Sequence, residues 1–280
     1  MSEHKEEDET LDEVEVSSFK EVWHQVAGHK DHGSTPGFLM GPNGRLYKNI
    51  SHDARGEKEE CFYKKVFSDE KFTRFRDFIP TYYKTILYQN VRFMALSDAC
   101  YGFKVPCGSD IKVGSVDYNS QDSSTKQEVH KKKVLGIAPI LGFRFAGANV
   151  YNATDKTVQK LDKGWGLSFT VENAAKKTEE YFNDKKTIRR DVLPSLIRQL
   201  TDLLEYYTQQ KLFWLCRSSL LVVYDGLTPE KGTVKMIDFA HNTTQENPSD
   251  NTYVEIGLRN LIDILSHIHR GQTAEWKYDT

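Results

Sequence analysis

The stretch Pro106-Cys107-Gly108-Ser109-Asp110-Ile111-Lys112-Val113-Gly114 places an acid and a base two residues apart, between a proline and a glycine. If this stretch is a strand, its side chains alternate between two faces, so Asp110 and Lys112 point the same way. Ile111 and Val113 then point toward a core. A carboxylate and an ammonium aimed at one space suit phosphate chemistry, although for this stretch alone an ordinary surface salt bridge is the stronger interpretation.

Length and charge limit the function classes that the chain can serve. The 280 residues carry a net charge of −2, and this length can bury a sizeable core as one large domain or two lobes. The near-neutral charge argues against general affinity for nucleic acid or anionic membranes. No apolar run approaches the roughly 20 residues of a membrane span. We expect no nucleic-acid binding, no transmembrane segment and a monomer.

Cysteine usage and the first residues bear on the compartment. The four cysteines are scattered without a C-x-x-C pair, which argues against a zinc site or a disulfide framework and favours a reducing compartment. Residues 1–17 are rich in acidic side chains and lack apolar periodicity, which predicts a disordered tail rather than a signal or transit peptide. We therefore expect the protein in the nucleus and the cytoplasm.

The rest of the chain divides into runs with strand or helix periodicity. Strands are predicted at 37–48 (a hairpin), 91–96, 140–145, 149–151, 212–224 and 234–239. Helices are predicted at 56–67, 170–182, 190–207 and 253–269. A strand-rich first third followed by mixed helices and strands predicts an α+β protein with two lobes and a cleft between them.

Three charged side chains at element ends are candidates for phosphate or metal binding. Asp238 ends an apolar strand, where a carboxylate either binds Mg²⁺ together with substrate phosphates or simply caps the strand. Lys48 at the end of the hairpin either reaches nucleotide phosphates or is a solvated lysine. Arg55 lies just before a predicted helix. It either binds an anion together with the helix N-terminus, which favours negative charge, or is a surface arginine at a turn.

The segment 119–133 is polar, with Val129 as its clear apolar residue. On a helix, Lys126, His130 and Lys133 would lie at positions i, i+4 and i+7 and so share one face. Such a segment cannot fold by burying an apolar stripe. Either it is a solvated surface helix, or its basic face has an anionic ligand.

In combination, the motifs resemble those of the inositol polyphosphate kinase family. The family pattern P-x-x-x-D-x-K-x-G matches Pro106 to Gly114, its S-S-L-L strand matches Ser218 to Leu221, and its I-D-F-A-H motif matches Ile237 to His241. The segments His24 to His29 and Arg55 to Glu57 are similar to those of the multikinases in this family. Each motif alone is modest, but their shared order extends the similarity from about residue 20 to residue 270.

The resemblance implies a two-lobed, protein-kinase-like α+β fold with an inserted helical inositol-binding region. The N-lobe would span 18–99 and the C-lobe 100–280, with inositol-binding helices at about 119–135 and 168–185. The implied enzyme uses ATP and Mg²⁺ to phosphorylate inositol 1,4,5-trisphosphate and the tetrakisphosphate made from it. The alternatives are a hexakisphosphate kinase or a trisphosphate 3-kinase of the same family, and a scaffold without turnover.

The resemblance also implies catalytic and nucleotide-binding roles. Asp110 would bind the ribose hydroxyls, Lys112 would lie between the transferred phosphoryl group and the inositol, and Asp238 would hold Mg²⁺. Lys48 would hold the nucleotide phosphates. A hinge would read adenine mostly through backbone groups, and its residues would be Leu96, Ser97, Asp98 and Ala99.

The implied substrate site is a cradle of basic side chains, comprising Arg55, Lys112, Lys126, His130, Lys133 and His241. The chain departs from the family pattern at Leu167, where relatives often have a basic residue, and at His130, which replaces a commoner glutamine. Both departures bear on substrate preference. A third, Ser109 in place of a hydrophobic residue, bears on local packing.

Overall fold

The computed structural model describes residues 9–10, 19–21, 31–32, 35–51, 53–114, 124–125, 138–243 and 248–278. Its strands are β1 (Glu9–Thr10), β2 (Lys20–Glu21), β3 (Asp31–His32), β4 (Thr35–Pro36), β5 (Phe38–Met40), β6 (Arg45–Asn49), β7 (Tyr82–Tyr88), β8 (Val91–Ser97), β9 (Pro106–Val113), β10 (Phe143–Asn152), β11 (Thr157–Leu161), β12 (Trp214–Leu215), β13 (Ser219–Asp225), β14 (Gly232–Ile237) and β15 (Asn242–Thr243). Its α-helices are α1 (Ala54–Ser68), α2 (Ala138–Leu141), α3 (Lys163–Leu167), α4 (Ala174–Tyr181), α5 (Leu193–Gln209) and α6 (Pro248–Arg270).

The first lobe is built on a six-stranded sheet with the order β1-β7-β8-β6-β5-β2. Helix α1 follows β6, and Asp53 caps its start because the side chain accepts a hydrogen bond from the Arg55 N–H. The aromatic ring of Phe62 on α1 lies 4.9 Å from that of Phe239 in the second lobe, centroid to centroid. Helix α1 therefore packs against the segment that directly follows Asp238.

The second lobe is built on a five-stranded antiparallel sheet with the order β11-β10-β9-β13-β14. Helix α5 buries a stripe at helical spacing, formed by Leu196, Leu200, Leu203 and Tyr207. Helix α6 buries a comparable stripe that includes Leu258 and Leu265. These two helices pack against each other and cover one face of the sheet, so the other face is left for the cleft.

Strand β9 has the alternation that the sequence predicts. Ile111 and Val113 are buried in the core on one face, and the carboxylate of Asp110 contacts the ammonium of Lys112 on the other. The mixed helices and antiparallel strands of the two lobes confirm the predicted α+β class.

A crossing of two glycines fixes helix α6 against the start of β10. Gly142 has a φ of +71°, and a Cβ there would lie 2.5 Å from the backbone nitrogen of Gly257. A Cβ on Gly257 would lie 2.1 Å from the carbonyl oxygen of Gly142. Neither position accepts a side chain without displacing backbone, and Gly142 also accepts a 2.8 Å hydrogen bond from Gly114 at the end of β9.

The secondary-structure predictions succeed best for long periodic runs. The helices predicted at 56–67 and 253–269 lie within α1 and α6, and the strand at 91–96 lies within β8. The strand pair predicted at 140–145 and 149–151 is wrong, because α2 precedes one continuous strand, β10. The strand predicted at 212–224 is interrupted at Arg217, whose φ is +58°.

Some predictions about segments and boundaries stay predictions. Within the predicted tail at 1–17, Glu9–Thr10 pairs with β7. The rest of that tail lies outside the described residues. Residues 124–125 are helical and exposed, whereas the rest of the predicted inositol-binding segment at 119–135 is not described. Among the described residues, no helix is long and apolar enough to cross a membrane.

Candidate active site

Asp238 lies where the two lobes meet, directly after β14, and receives a lysine from each lobe. Its Oδ1 accepts a 3.2 Å hydrogen bond from Lys48 Nζ on β6, and its Oδ2 accepts a 3.1 Å hydrogen bond from Lys112 Nζ on β9. The backbone of Asp238 is left-handed, with a φ of +66°. This conformation is uncommon for a residue with a side chain, and such residues concentrate at functional sites.

Lys48 is also bound by Glu59 on helix α1, which the sequence analysis did not single out. The Nζ of Lys48 lies 2.9 Å and 2.8 Å from the two carboxylate oxygens of Glu59, whose side chain is buried. Glu59 shares the inward face of α1 with Phe62 and Val66, at helical spacing. A charged residue on an apolar stripe was the available signal, because a buried carboxylate needs a partner.

Lys112 contacts three side chains of the cleft. Besides Asp238, its Nζ contacts Asp110 Oδ2 at 3.3 Å and donates a 2.7 Å hydrogen bond to Ser219 Oγ. Ser219 lies opposite Lys112 in the pairing of β13 with β9. Strand β9, which carries the P-x-x-x-D-x-K-x-G motif, and strand β13, which carries the S-S-L-L motif, therefore meet at this lysine.

The electrostatics keep both lysines charged and Asp238 ionised at neutral pH. Burial alone would lower the pKa of Lys48, but the charges of Glu59 and Asp238 outweigh it and raise that pKa. Burial also opposes the charge of Lys112, yet its neighbouring carboxylates raise the pKa. For Asp238, burial raises the pKa, but the two lysines outweigh burial and hold the pKa well below its usual range.

Asp110 differs from the other carboxylates of the cleft. Burial raises its pKa above the usual value, and the charge of Lys112 offsets this only in part. Its Oδ1 is buried and has no hydrogen-bond partner among the described residues. A buried acceptor without a donor is costly, and hydrogen bonding from the Ser219 hydroxyl to this carboxylate also lowers its pKa without cancelling the effect of burial.

The predicted hinge begins at the end of β8, and some of its backbone N–H groups already donate hydrogen bonds within the protein. The N–H of Ser97 donates to the Thr81 carbonyl at 2.9 Å, and the N–H of Asp98 donates to the Gly44 carbonyl at 2.8 Å. Leu96 is buried. The adenine-reading role of this segment stays a prediction, and it would rest on backbone groups other than these two N–H groups.

The predicted substrate cradle is only partly within the described residues. Arg55 is exposed and forms an ion pair with Asp53. The hydrogen bond with Asp53 is the main reason that the pKa of Arg55 is raised, and the charge of Asp238 contributes in the same direction. His241 follows the Asp238 segment, and its carbonyl accepts a hydrogen bond from the Cys216 N–H. Lys126, His130 and Lys133 lie outside the described residues.

The cleft offers one candidate carboxylate ligand for a divalent metal ion, Asp238. No group of three or more His, Cys, Asp or Glu side chains is arranged as a metal site in the part of the chain that the structure describes. Mg²⁺ commonly takes one or two protein carboxylates together with phosphates and water. Asp238 supplies one such carboxylate where the two lobes meet.

The fold and this cleft define a two-lobed, kinase-like protein in which one carboxylate joins lysines from both lobes. A family model described as inositol polyphosphate kinase matches residues 93–266, which is more than half of the chain. The chain therefore belongs to the inositol polyphosphate kinase family, as its motifs predict.

Curated relatives include two branches of this family. The inositol polyphosphate multikinase of Homo sapiens is 29% identical over 224 residues, covering 77% of this chain and 53% of the relative. The inositol hexakisphosphate kinase 3 of Mus musculus is 30% identical over 205 residues, covering 65% and 52%. The chain thus spans about half the length of these relatives, whereas it covers 96% of the multikinase beta of Arabidopsis thaliana at 23% identity.

Solved structures confirm the fold class. The inositol phosphate multikinase of S. cerevisiae, crystallised with ADP and Mn²⁺, superposes with a TM-score of 0.67 at 23% identity. The match covers 80% of this chain and 98% of that one. At this level of identity the likeness establishes the kinase-like fold.

Proposed function

We propose that this protein is an ATP-dependent inositol polyphosphate multikinase. It would phosphorylate inositol 1,4,5-trisphosphate and inositol tetrakisphosphate, giving the tetrakis- and pentakisphosphate. The observation that carries the proposal is the Asp238 carboxylate held between Lys48 and Lys112. A surface salt bridge needs only one partner, whereas this arrangement gathers charge from both walls of the cleft around one point.

In the proposed mechanism, Lys48 orients the nucleotide phosphates, and Glu59 holds Lys48 in place from helix α1. Lys112 neutralises the charge of the phosphoryl group during transfer, since phosphoryl transfer depends mainly on positioning and charge neutralisation. Asp238 would hold Mg²⁺, which when bound neutralises charge on the phosphate oxygens. Asp110 would accept a hydrogen bond from a ribose hydroxyl through Oδ1, the oxygen that has no partner among the described residues.

The acceptor would lie in the basic cradle that the family resemblance implies. Arg55 and His241 lie on the segments flanking the Lys48–Asp238 contact, and Lys126, His130 and Lys133 would complete the cradle. Several cations suit a substrate with three or more phosphate groups, because charge-assisted hydrogen bonds are stronger than neutral ones. A monomeric state and a location in both nucleus and cytoplasm belong to the same proposal.

The decisive experiment incubates the purified protein with ATP and Mg²⁺ and with one acceptor at a time. The acceptors are inositol 1,4,5-trisphosphate, inositol tetrakisphosphate and inositol hexakisphosphate, and the products are separated by anion-exchange chromatography and assigned by NMR. We expect tetrakis- and pentakisphosphate from the first two acceptors. Samples with excess chelator, and an Asp238→Asn variant, serve as controls and should form neither product.

A hexakisphosphate kinase is the second candidate, favoured by the 30% identity to the mouse hexakisphosphate kinase 3. Product formed only from inositol hexakisphosphate would replace the multikinase proposal with this one. Binding of acceptors without transfer to any of them would favour a scaffold that uses the fold without turnover.

A further inference from the structure

A second cation lies beside Lys112 on the cleft face of the sheet. In the pairing of β10 with β9, Arg144 is directly opposite Lys112, with Phe143 opposite Val113 and Phe145 opposite Ile111. The two phenylalanines and their partners are buried in the core. Because side chains alternate along a strand, Arg144 shares the opposite, cleft-facing side with Lys112.

Within the part of the chain that the structure describes, Arg144 has no counterion, in contrast to its neighbour. Lys112 contacts Asp110 and Asp238, whereas Arg144 is partly buried and has no hydrogen bond or ion pair among the described residues. Like charges directly opposite each other on neighbouring strands destabilise a sheet. A partly buried guanidinium without an acceptor adds to that cost. Two cations therefore share this part of the cleft face, and among the described residues only Lys112 has carboxylate partners.

The strand order indicates on which side of Lys112 an anion held by Arg144 would lie. Strand β9 has β13 and then β14 on one side, and β10 on the other. Ser219 and Asp238 come from the β13–β14 side, where the metal and nucleotide phosphates are proposed to bind. Arg144 extends from β10, on the far side of Lys112. In an in-line transfer, the donor and the acceptor lie on opposite sides of the moving phosphoryl group.

We propose that Arg144 binds a phosphate group of the inositol polyphosphate acceptor, on a ring position close to the hydroxyl that is phosphorylated. This inference rests on the proposed function and deepens it by naming a specificity-determining residue. The planar guanidinium can form two parallel hydrogen bonds to a phosphate, which a lysine ammonium cannot. The residue thereby favours acceptors that carry a phosphate at that ring position over those with a free hydroxyl there.

The test compares Arg144→Met and Arg144→Lys with the wild type. The control is Arg198→Met, because Arg198 is an exposed arginine on helix α5, outside the cleft. Initial rates are measured with inositol trisphosphate varied at saturating ATP, and with ATP varied at saturating acceptor. We expect Arg144→Met to raise the KM for the acceptor about 10- to 100-fold, the loss of a hydrogen bond to a charged group. The KM for ATP and the Arg198→Met control should stay within about twofold of wild type, and Arg144→Lys should be intermediate.

Several outcomes would overturn the inference. An unchanged acceptor KM in Arg144→Met, or a rise confined to the KM for ATP, would place Arg144 outside the acceptor site. Thermal unfolding of each variant, and ATP hydrolysis without acceptor, show whether the fold and nucleotide site are intact. If Arg144→Met does not fold, the Arg144→Lys variant decides, since an acceptor KM equal to that of the wild type would exclude the proposed bidentate contact.

A failure of the proposed function gives a different result. If the wild type transfers no phosphate to the trisphosphate or the tetrakisphosphate, that proposal fails. Titration calorimetry of inositol trisphosphate into the wild type and Arg144→Met, without ATP, then tests the site alone. Binding that weakens at least 10-fold in the variant would support an acceptor-phosphate site, whereas equal binding, or none to either protein, would overturn it.

Discussion

Two buried aspartates of the same sheet have opposite surroundings. Asp225, at the end of β13, is fully buried and accepts hydrogen bonds from the backbone N–H groups of Lys104, Val105 and Leu227. Asp110, on β9, is 6% exposed and contacts the ammonium of Lys112, while its Oδ1 has no partner in the described part of the chain.

The two pKa values follow from these surroundings. For Asp225, burial alone would raise the pKa, but the backbone donors outweigh it and lower the pKa to about 2. For Asp110, burial outweighs the attraction of Lys112 and the pKa is raised. A carboxylate whose acceptors are filled by fixed backbone donors stabilises the fold. A carboxylate that keeps an acceptor without a donor, as Asp110 does among the described residues, contributes less to the fold.

Two arginines, Arg189 in the segment before helix α5 and Arg144 on β10, show the same contrast. Arg189 forms two hydrogen bonds with Asp191 and donates to the carbonyls of Asp225 and Gly226. Arg144 has no such partner among the described residues. The corner around Asp225 is thus internally satisfied, and the cleft face around Lys112 is not.

The largest expected effect is on catalysis, in Lys112→Ala. Loss of the ammonium removes charge neutralisation at the transferred phosphoryl group, so kcat should fall about 10²- to 10³-fold, by analogy with the loss of an oxyanion donor. The measurement is the rate of phosphoryl transfer at saturating ATP and acceptor. The Lys211→Ala control removes an exposed lysine outside the cleft and should leave kcat unchanged. Equal rates for Lys112→Ala and the wild type would contradict the catalytic role of Lys112.

The next effect is on stability, in Asp225→Asn. One amide oxygen can keep the bonds to Val105 and Leu227, but the amide NH₂ would face the N–H of Lys104, and the negative charge is lost. We expect the free energy of unfolding to fall by about 3 kcal/mol, measured by urea denaturation. Activity per folded molecule should be retained. The exposed Asp155→Asn is the matched control, and a variant that is stable but inactive would remove the distinction between the two aspartates.

The same corner predicts a pH dependence. The pKa of Asp225 is lowered from 3.8 to about 2 on folding, so its ionised form adds stability above the unfolded-state pKa, and this stability is lost as pH falls toward 2. The difference in unfolding free energy between wild type and Asp225→Asn should therefore shrink by about 2 kcal/mol between pH 6 and pH 2. Urea titrations at a series of pH values measure it. A difference that stays constant with pH would mean that the charge of Asp225 contributes nothing.

The sequence predicts the cleft residues better than it predicts their partners. Strand alternation and the flanking proline and glycine place Asp110 and Lys112 on one face, because these rules are local. Glu59 was missed although it shares a helical stripe with Phe62 and Val66, because Glu57 and Glu60 lie close to it in the sequence and the stripe does not show which side chain it meets.

Arg144 could not be placed from the sequence for a related reason. Its position opposite Lys112 depends on where β10 begins and on its register, which shifts between Phe145 and Gly147. The sequence predicts two short strands there instead of one long strand with an irregularity. Strand β11 was also missed, since its residues are mostly exposed and bury no alternating apolar face.

The smallest expected effect is the most selective test of the comparison, and it comes from Asp110→Asn. The pKa of Asp110 is raised on folding, so its contribution to stability is greatest below the ordinary value of 3.8 and is lost as pH rises through the folded-state pKa. At pH 7 the native fold therefore bears the cost of an unfavourable charge, which the neutral amide removes. We expect the variant to gain ~0.5 kcal/mol, a shift of about one to two degrees in the thermal midpoint. Because the amide oxygen turns toward the ammonium of Lys112, the amide NH₂ takes the place of Oδ1 and cannot accept from the ribose hydroxyl, so the KM for ATP should rise about 10-fold. Differential scanning calorimetry and initial rates measure the two effects. Since Asp225→Asn makes the identical chemical change with the opposite sign for stability, a loss of stability in both variants would show that the open oxygen of Asp110 imposes no cost on the fold.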